Sequence, residues 1–505
     1  MDLATAASDM VLQLDQRMSP SLYDAAWLLR LRDRDGAPVY PDYLGWLLSR
    51  QHPNGSWGSP IRYYHHDRII CTLTAAIAVA EHVQTPDTRA AVQMAEKFLW
   101  QNLHLVFRDT AFAELVGFEL LFPTLMEEAR RAGLRLPAHN YGVSNLKAEK
   151  LRLIPPEMLY SRGVTTVHSL EFLGRDVNPS NLHNAVFENG SLGNSPATTA
   201  YYIHACSRIG TDFDPEAQAY LDRVTSTYHP SIYLYPFRNF ESLWVINNLA
   251  LIDRSEKILD WIPAPFLDEL EQKLRIEGLG LDDEFGIPDA DCTSVGYSLL
   301  ALAGRNPDPA ALAGYEVPGE RIFRTYFFER NPSVSTNIHA LDAIRLMPEY
   351  PDRGIVMDRI ERMLFSSRRF NLFWTDKWHA SPFYATSHAL MTLLDAHPAT
   401  HPELRDTIDW IVHNQRDDGS WGYFNRGTAE ETAYALLALQ QAYRYDLVPP
   451  DVLEKGVDFL LENDGLEDPE PAYVELWLGK CLYAPYDIIR SAILAALIRH
   501  EHLFS

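Results

Sequence analysis

The stretch DWIVHNQRDDGSWG, residues 409–422, decides how this chain folds. It continues from HPELRDTI, and apolar side chains recur at Leu404, Ile408, Ile411 and Val412, along one face of a helix. The helix then runs into Gln415, a polar turn and Gly-Ser-Trp-Gly. Gly419 suits the left-handed turn that follows a helix, and Trp421 can fold back on the helix pair. Gln415 can bond the backbone groups the helix end leaves open. A second apolar helical run, EETAYALLALQQAY (430–443), follows at once.

The same unit stands in the other half of the chain. GWLLSRQHPNGSWG (45–58) carries Gln51, Gly55 and Trp57 at the same spacing and leads into RIICTLTAAIAVAEH (68–82). Two helical hairpins of one pattern, far apart in sequence, predict two related α-helical barrels. Nearly every other segment between turns also reads as a helix, and strand-like alternation is scarce, so the fold class is all-α. The motifs themselves read as staples of the fold and not as chemistry.

Bulk properties narrow the function. With 505 residues, 47% hydrophobic and 11% aromatic, the chain has material for more than one large core. A net charge of -24, with no basic stripe, argues against nucleic acid. The four cysteines, Cys71, Cys206, Cys292 and Cys481, are dispersed, which fits a reducing compartment and no cysteine zinc site. MDLATAASDMVLQLDQ has acids where a signal peptide has bases. The longest apolar runs are shorter than the roughly 20 residues of a membrane span. The expectation is a soluble, cytoplasmic protein without stable membrane insertion.

One stretch places acids beside an apolar helix: GIPDADCTSVGYSLLALAG, residues 286–304. Asp289 and Asp291 suit a helix N-terminus, where Asp caps backbone donors and negative charge meets the positive end of the dipole. Two neighbouring, buried carboxyls also favour a protonated acid, because burial and like charge both raise a carboxyl pKa. The two roles are compatible. Other chemistries lack support. LDDEFG (281–286) and QRDDGSW (415–421) miss the third acid of a DDxxD-type magnesium cluster. YYHHD (63–67) lacks an i, i+4 partner for zinc, and no G-x-S-x-G or phosphate-binding glycine loop occurs.

At these residues the chain resembles the class II diterpene cyclases, which protonate geranylgeranyl diphosphate and keep its diphosphate. Their D-x-D-D signature is DADC here, with Asp291 in the position of the family's general acid and Cys292 in place of the last aspartate. The likeness extends through SPSLYDAAW (19–27), VGFELLFPTLMEEARRAGLRLP (116–137), TTVHSLE (165–171), SPATTAYYI (195–203), YPFRNFESLW (235–244), TDKWHASPFYAT (375–386) and LWLGKCLYAPYDIIRSAIL (476–494). SVSTNIHAL (333–341) and TAEETAYAL (428–436) are similar to bacterial members, including halimadienyl diphosphate synthases.

The resemblance implies a didomain of two α-barrels, β from 1–30 and 228–505, with γ (31–227) inserted after the first helix of β. It implies Asp291 as the acid, Asp289 raising its pKa, and Asn337 donating to the carboxylate that forms. Aromatic faces at Trp244, Tyr297, Trp374, Trp378, Tyr434 and Trp477 would stabilise the carbocation by cation–π attraction. His168 matches a catalytic-base histidine of plant copalyl diphosphate synthases. Its asparagine partner would fall near Tyr233, a departure that points to another deprotonation site or a rearranged halimane or clerodane skeleton. Lys377, Lys480 and Lys150 match lysines near the diphosphate. Mg2+ on the diphosphate would use the acids of FRDTAFAEL, Asp109 and Glu114. The reading is an enzyme that makes a bicyclic labdane-, halimane- or clerodane-type diphosphate, for a class I terpene synthase or a phosphatase to consume. Two alternatives stay open: a drimane-type cyclase acting on farnesyl diphosphate, and a non-catalytic α-barrel that binds isoprenoids.

Overall fold

The fold is given by a computed structural model that describes residues 3–12, 14, 17–61, 64–82, 84–107, 115–137, 143–175, 177–228, 237–253, 262–274, 278–327, 329, 331–396 and 401–504. Apart from two short hairpins, Leu279–Gly280 with Pro288–Asp289 and Trp477–Leu478 with Leu482–Tyr483, the regular structure there is helical. The chain builds two hydrophobic cores.

Around the first core, six helices close a ring: Arg238–Ala250, Ala290–Leu302, Val334–Leu346, Pro382–Ala396, Ala429–Tyr443 and Tyr486–Phe504, each packed on the next and the last on the first. These inner helices are rich in Ala and Leu because they have no face to give to water; every residue from Ala429 to Ala442 is buried. An outer layer packs against them. His401–His413 shows why it is outer: Leu404, Ile408 and Ile411 are buried, and its intervening Glu403, Arg405 and Asp406 carry the charge of a solvated face. The helix Leu3–Leu12 belongs to this layer, against Tyr486–Phe504 and Arg238–Ala250.

The second core has a ring of five: Leu22–Leu29, His65–Ala80, Phe118–Arg131, the 3-10 segment Thr165–Leu173 and Pro196–Ile209. Two α-helical barrels thus stand as expected, but Tyr23 to Leu31 pack in the second core, whereas residues to 30 were expected with the first. The chain passes between barrels after Met18, whose strand-like bridge to Pro485 ties it to the first. Tyr23 and Trp27 are large apolar groups facing His65–Ala80 and Pro196–Ile209, and that packing outweighs sequence proximity.

The staple predicted at residues 51–57 and 415–421 has one geometry in both barrels. Gln51 Nε2 donates to Gly55 O and Ala91 O, both at 2.9 Å; Gln415 Nε2 donates to Gly419 O at 3.0 Å and Val452 O at 2.9 Å. Trp57 Nε1 donates to Leu47 O and Trp421 Nε1 to Ile411 O, each at 2.7 Å, which seals the end of the preceding helix. Two further copies escape the sequence pattern: one keeps Gly190 and Gly193 but lacks the Gln and the Trp, the other keeps Trp374 but lacks the Gln and both glycines. Phe187 N–Ser191 O and Arg369 N–Phe373 O, both 2.8 Å, repeat the turn of His52 N–Ser56 O and Arg416 N–Ser420 O. Leu192 and Trp374 then occupy the tryptophan position, each donating its backbone N–H to a threonine on the next inner helix, Thr199 or Thr386, at 3.0 Å.

Gly419 has φ +84°, and a Cβ there would lie 2.2 Å from Lys455 O; Gly36 has φ +82° with nothing within 4 Å. Gly419→Ala should therefore destabilise by about 2–3 kcal/mol or more, and Gly36→Ala by about 1 kcal/mol, in chemical denaturation. Equal losses at both sites would contradict the staple's tight fit.

Candidate active site

The N-terminal turns of the inner helices meet at one mouth of the first barrel, and polar side chains close their open backbone donors. Asp289, Ser333 and Thr428 cap Ala290–Leu302, Val334–Leu346 and Ala429–Tyr443. Asp289 Oδ1 accepts Cys292 N–H at 2.7 Å, while its Oδ2 is buried without a partner among the described residues. Burial, then the charge of Asp291, pushes the Asp289 carboxyl up to about 8, so it is neutral near pH 7.

Asp291 projects from the first turn of its helix, with 12% of its side chain open. Its Oδ1 is 2.6 Å from His339 Nδ1, and His339 Nε2 is 3.1 Å from His388 Nδ1. Imidazole donating to one carboxyl oxygen leaves Oδ2 with no protein partner among the described residues. This arrangement suits proton donation: the donor already in place stabilises the carboxylate as the proton leaves. A charge-assisted bond of this kind is worth roughly 1.5–3 kcal/mol.

Aromatic rings enclose the acid. Trp244 meets the His339 ring edge-on at 5.3 Å and donates Nε1–H to Tyr384 Oη at 2.9 Å. Tyr384 lies 4.5 Å from the His388 ring, 5.3 Å from Tyr434 and 5.0 Å from Trp477. Phe240 joins Trp244 to Trp477, at 4.7 and 5.4 Å. A dry site walled by ring faces is what a carbocation tolerates, each well-placed ring contributing ~2 kcal/mol.

Several expected residues do other work. Asn337 is wholly buried and bonds Phe323 N and O and Ser333 O, at 2.8–2.9 Å. It fixes the 323–325 segment, whose Thr325 O receives Ala290 N–H, and so positions the acid helix without touching the acid. His339, two residues on and facing the other way, takes the donor role. Tyr297 donates to Asp308 O at 2.5 Å, and Trp374 to Leu364 O at 2.7 Å, so both brace the core. Trp244, Tyr434 and Trp477 are in the ring set; Trp378 lies 6.4 Å from Tyr326 with Lys377 5.2 Å over its ring.

The lysines divide. Lys480 is buried at the junction of the barrels, bonded to Glu171 at 2.7 Å, Ser195 at 2.6 Å and Thr198 at 2.9 Å, so its charge is already neutralised. Lys377 pairs with Glu329, and burial pushes its ammonium down to about 7 against the attraction of Asp291. Lys150, paired with Glu119 at 2.9 Å, keeps 44% of its side chain open. Lys147, on the same helix, bonds Thr124 and Phe172 O. His168 Nδ1 lies 2.7 Å from Gly193 O; burial and Lys480 push its imidazole down to about 3, so it is neutral. Asp109, Glu114 and Tyr233 lie outside the described residues.

Residues 332–497 match the squalene-hopene cyclase C-terminal domain family. Over 96% of both chains the protein is 32% identical to a type B diterpene cyclase of Mycobacterium tuberculosis. This chain belongs to the bacterial class II diterpene cyclases. A (+)-kolavenyl diphosphate synthase of Herpetosiphon aurantiacus is 29% identical to this cyclase, over 95% of this chain and 94% of its own. The solved structure of ent-copalyl diphosphate synthase from Streptomyces platensis aligns over 99% of both chains with a TM-score of 0.77 and 28% identity. No helix among the described residues of the cyclase is long and apolar enough to cross a membrane.

His339 and His388 were missed because each reads singly as a core histidine. One signal was available: IHAL (338–341) and SHAL (387–390) place the same H-A-L at matching depths of neighbouring inner helices. Replacing His339 with Ala should lower kcat by about 10²–10⁴-fold with KM changed little, as expected for loss of a group that acts on the acid in the transition state. A raised KM at unchanged kcat would assign His339 to substrate binding instead.

Proposed function

We propose that this cyclase protonates the terminal alkene of geranylgeranyl diphosphate from Asp291 and closes two rings, with the diphosphate retained. The observation that carries the reading is the Asp291–His339–His388 chain set within aromatic rings. A carboxyl with one oxygen bonded by imidazole and the other open is built to donate a proton. The surrounding Trp244, Tyr384 and Phe240 faces exclude water and fold the polyene for attack of each alkene on the growing cation.

The product would be a labdane-, halimane- or clerodane-type diphosphate, fit for a class I terpene synthase or a phosphatase. Lys150 is the lysine best suited to the diphosphate, being half open and paired with a carboxylate that an anion can displace. Mg2+ supplies charge neutralisation to a diphosphate when bound. Its expected ligands, Asp109 and Glu114, lie outside the described residues, and no step above passes through it.

Incubation with geranylgeranyl or farnesyl diphosphate and Mg2+, then phosphatase treatment and mass spectrometry, tests the proposal. A cyclic C20 alcohol is expected, with little from the C15 substrate, and none from Asp291→Asn. A predominant C15 product would replace the substrate assignment. No cyclic alcohol from either, or an undiminished yield from Asp291→Asn, would overturn the mechanism.

A further inference from the structure

Two adjacent glutamates open the Ala429–Tyr443 helix, and the structure treats them differently. Glu431 is fully engaged: it accepts from Ser381 Oγ at 2.5 Å, Tyr423 N at 2.9 Å and Thr428 Oγ1 at 2.9 Å. Glu430 is 3% exposed and uses one oxygen only. Its Oε1 receives Trp477 Nε1–H at 2.7 Å and lies 3.2 Å from His379 Nε2. Its Oε2 is buried and has no partner among the described residues. An unpartnered carboxylate oxygen in an apolar setting is costly, so a protein keeps one where it has a use.

The use follows from where Glu430 sits. Trp477 and Tyr384, the rings beside it and beside His379, are the same rings that wall the acid. Tyr384 is stacked on the His379 ring at 4.9 Å and lies 4.5 Å from the ring of His388, so it links the Glu430 end of the aromatic set to the Asp291 end. Trp477 and His379 fix Oε1 and leave Oε2, at the edge of that wall, without a partner among the described residues. We propose that Glu430 is the terminal base of the cyclisation, the group that accepts the proton released when the final carbocation becomes an alkene.

This assignment rests on the protonation-initiated reading. The step balances. The Asp291 O–H bond breaks and a C–H bond forms at the terminal alkene. Alkene electron pairs then close the rings, and the last cation lies next to a C–H bond facing Oε2. Glu430 takes that proton, the C–H pair becomes the new alkene, and the net change is an isomerisation with the diphosphate untouched. The proton returns to Asp291 through solvent between turnovers. His168 is the competing base, but its ring neighbours are Phe237 and Phe285, and neither belongs to the ring set around Asp291.

Full-length wild type, Glu430→Gln and His168→Ala are each incubated with geranylgeranyl diphosphate and Mg2+, and products are resolved by gas chromatography and mass spectrometry. Gln can still accept from Trp477 but cannot take the proton. For Glu430→Gln, the wild-type alkene should fall about 10²-fold relative to isomeric or hydroxylated cyclic products, the lower end of what a positioned base supplies, with substrate still consumed. His168→Ala should give the wild-type product. An unchanged product from Glu430→Gln overturns the assignment, and so does a switched product from His168→Ala, which stands even if the Glu430 variant does not fold. If wild type itself gives no cyclic product, it is the protonation-initiated reading that fails.

Discussion

The hydrogen bond of 2.6 Å between Asp291 and His339 sets the terms for everything around it. In the proposed reaction Asp291 has to be stabilised as an anion as soon as its proton leaves, and the His339 imidazole at Oδ1 supplies that. Neither group can be placed by a loop with the needed precision. Both stand on inner helices that pack directly against each other, Ala290–Leu302 and Val334–Leu346. The network continues in Asp376, which accepts from Ser333 Oγ, Ser335 N, Ser335 Oγ and Trp378 N at 2.8–3.1 Å and so fixes the start of the His339 helix.

The barrel makes such a site affordable in structural terms. Helix N-termini carry unsatisfied donors, and a ring of them around one mouth needs polar side chains that a dry cavity cannot otherwise hold. Asp289, Ser333 and Thr428 meet that need, and the acid grows out of the same turn that the cap closes. In the second ring Ser21 and Ser195 do the same for Leu22–Leu29 and Pro196–Ile209, and Ser195 also accepts from Lys480 at the junction of the barrels. The fold's tolerance of buried charge at this mouth and its chemistry have one origin.

What could be read from the sequence follows the range of each interaction. The staple at 415–421 was legible because Gln415, Gly419 and Trp421 act within one turn and its flanking helices. Its copies at Leu192 and Trp374 were not, since backbone geometry survives there although each copy keeps only some of the marker residues. Asp291 was legible through its neighbours in DADC. His339 was not, because its partner lies 48 positions away and only the closed ring brings them together. The same distance misled the reading of Lys480: nothing near it in sequence shows that Glu171, 309 positions back, already holds its charge. Tyr23 to Leu31 went to the other barrel for a related reason, as packing area and not chain order decides membership.

The central claim is that Asp291 starts the reaction by giving up a proton while the diphosphate stays in place. Running the reaction in D2O, with mass spectrometry of the product and phosphorus NMR of the mixture, tests it most directly. The account predicts one deuterium bound to carbon at the former terminal alkene and both phosphorus signals still those of a prenyl diphosphate. A product without deuterium, together with free inorganic diphosphate, would contradict it.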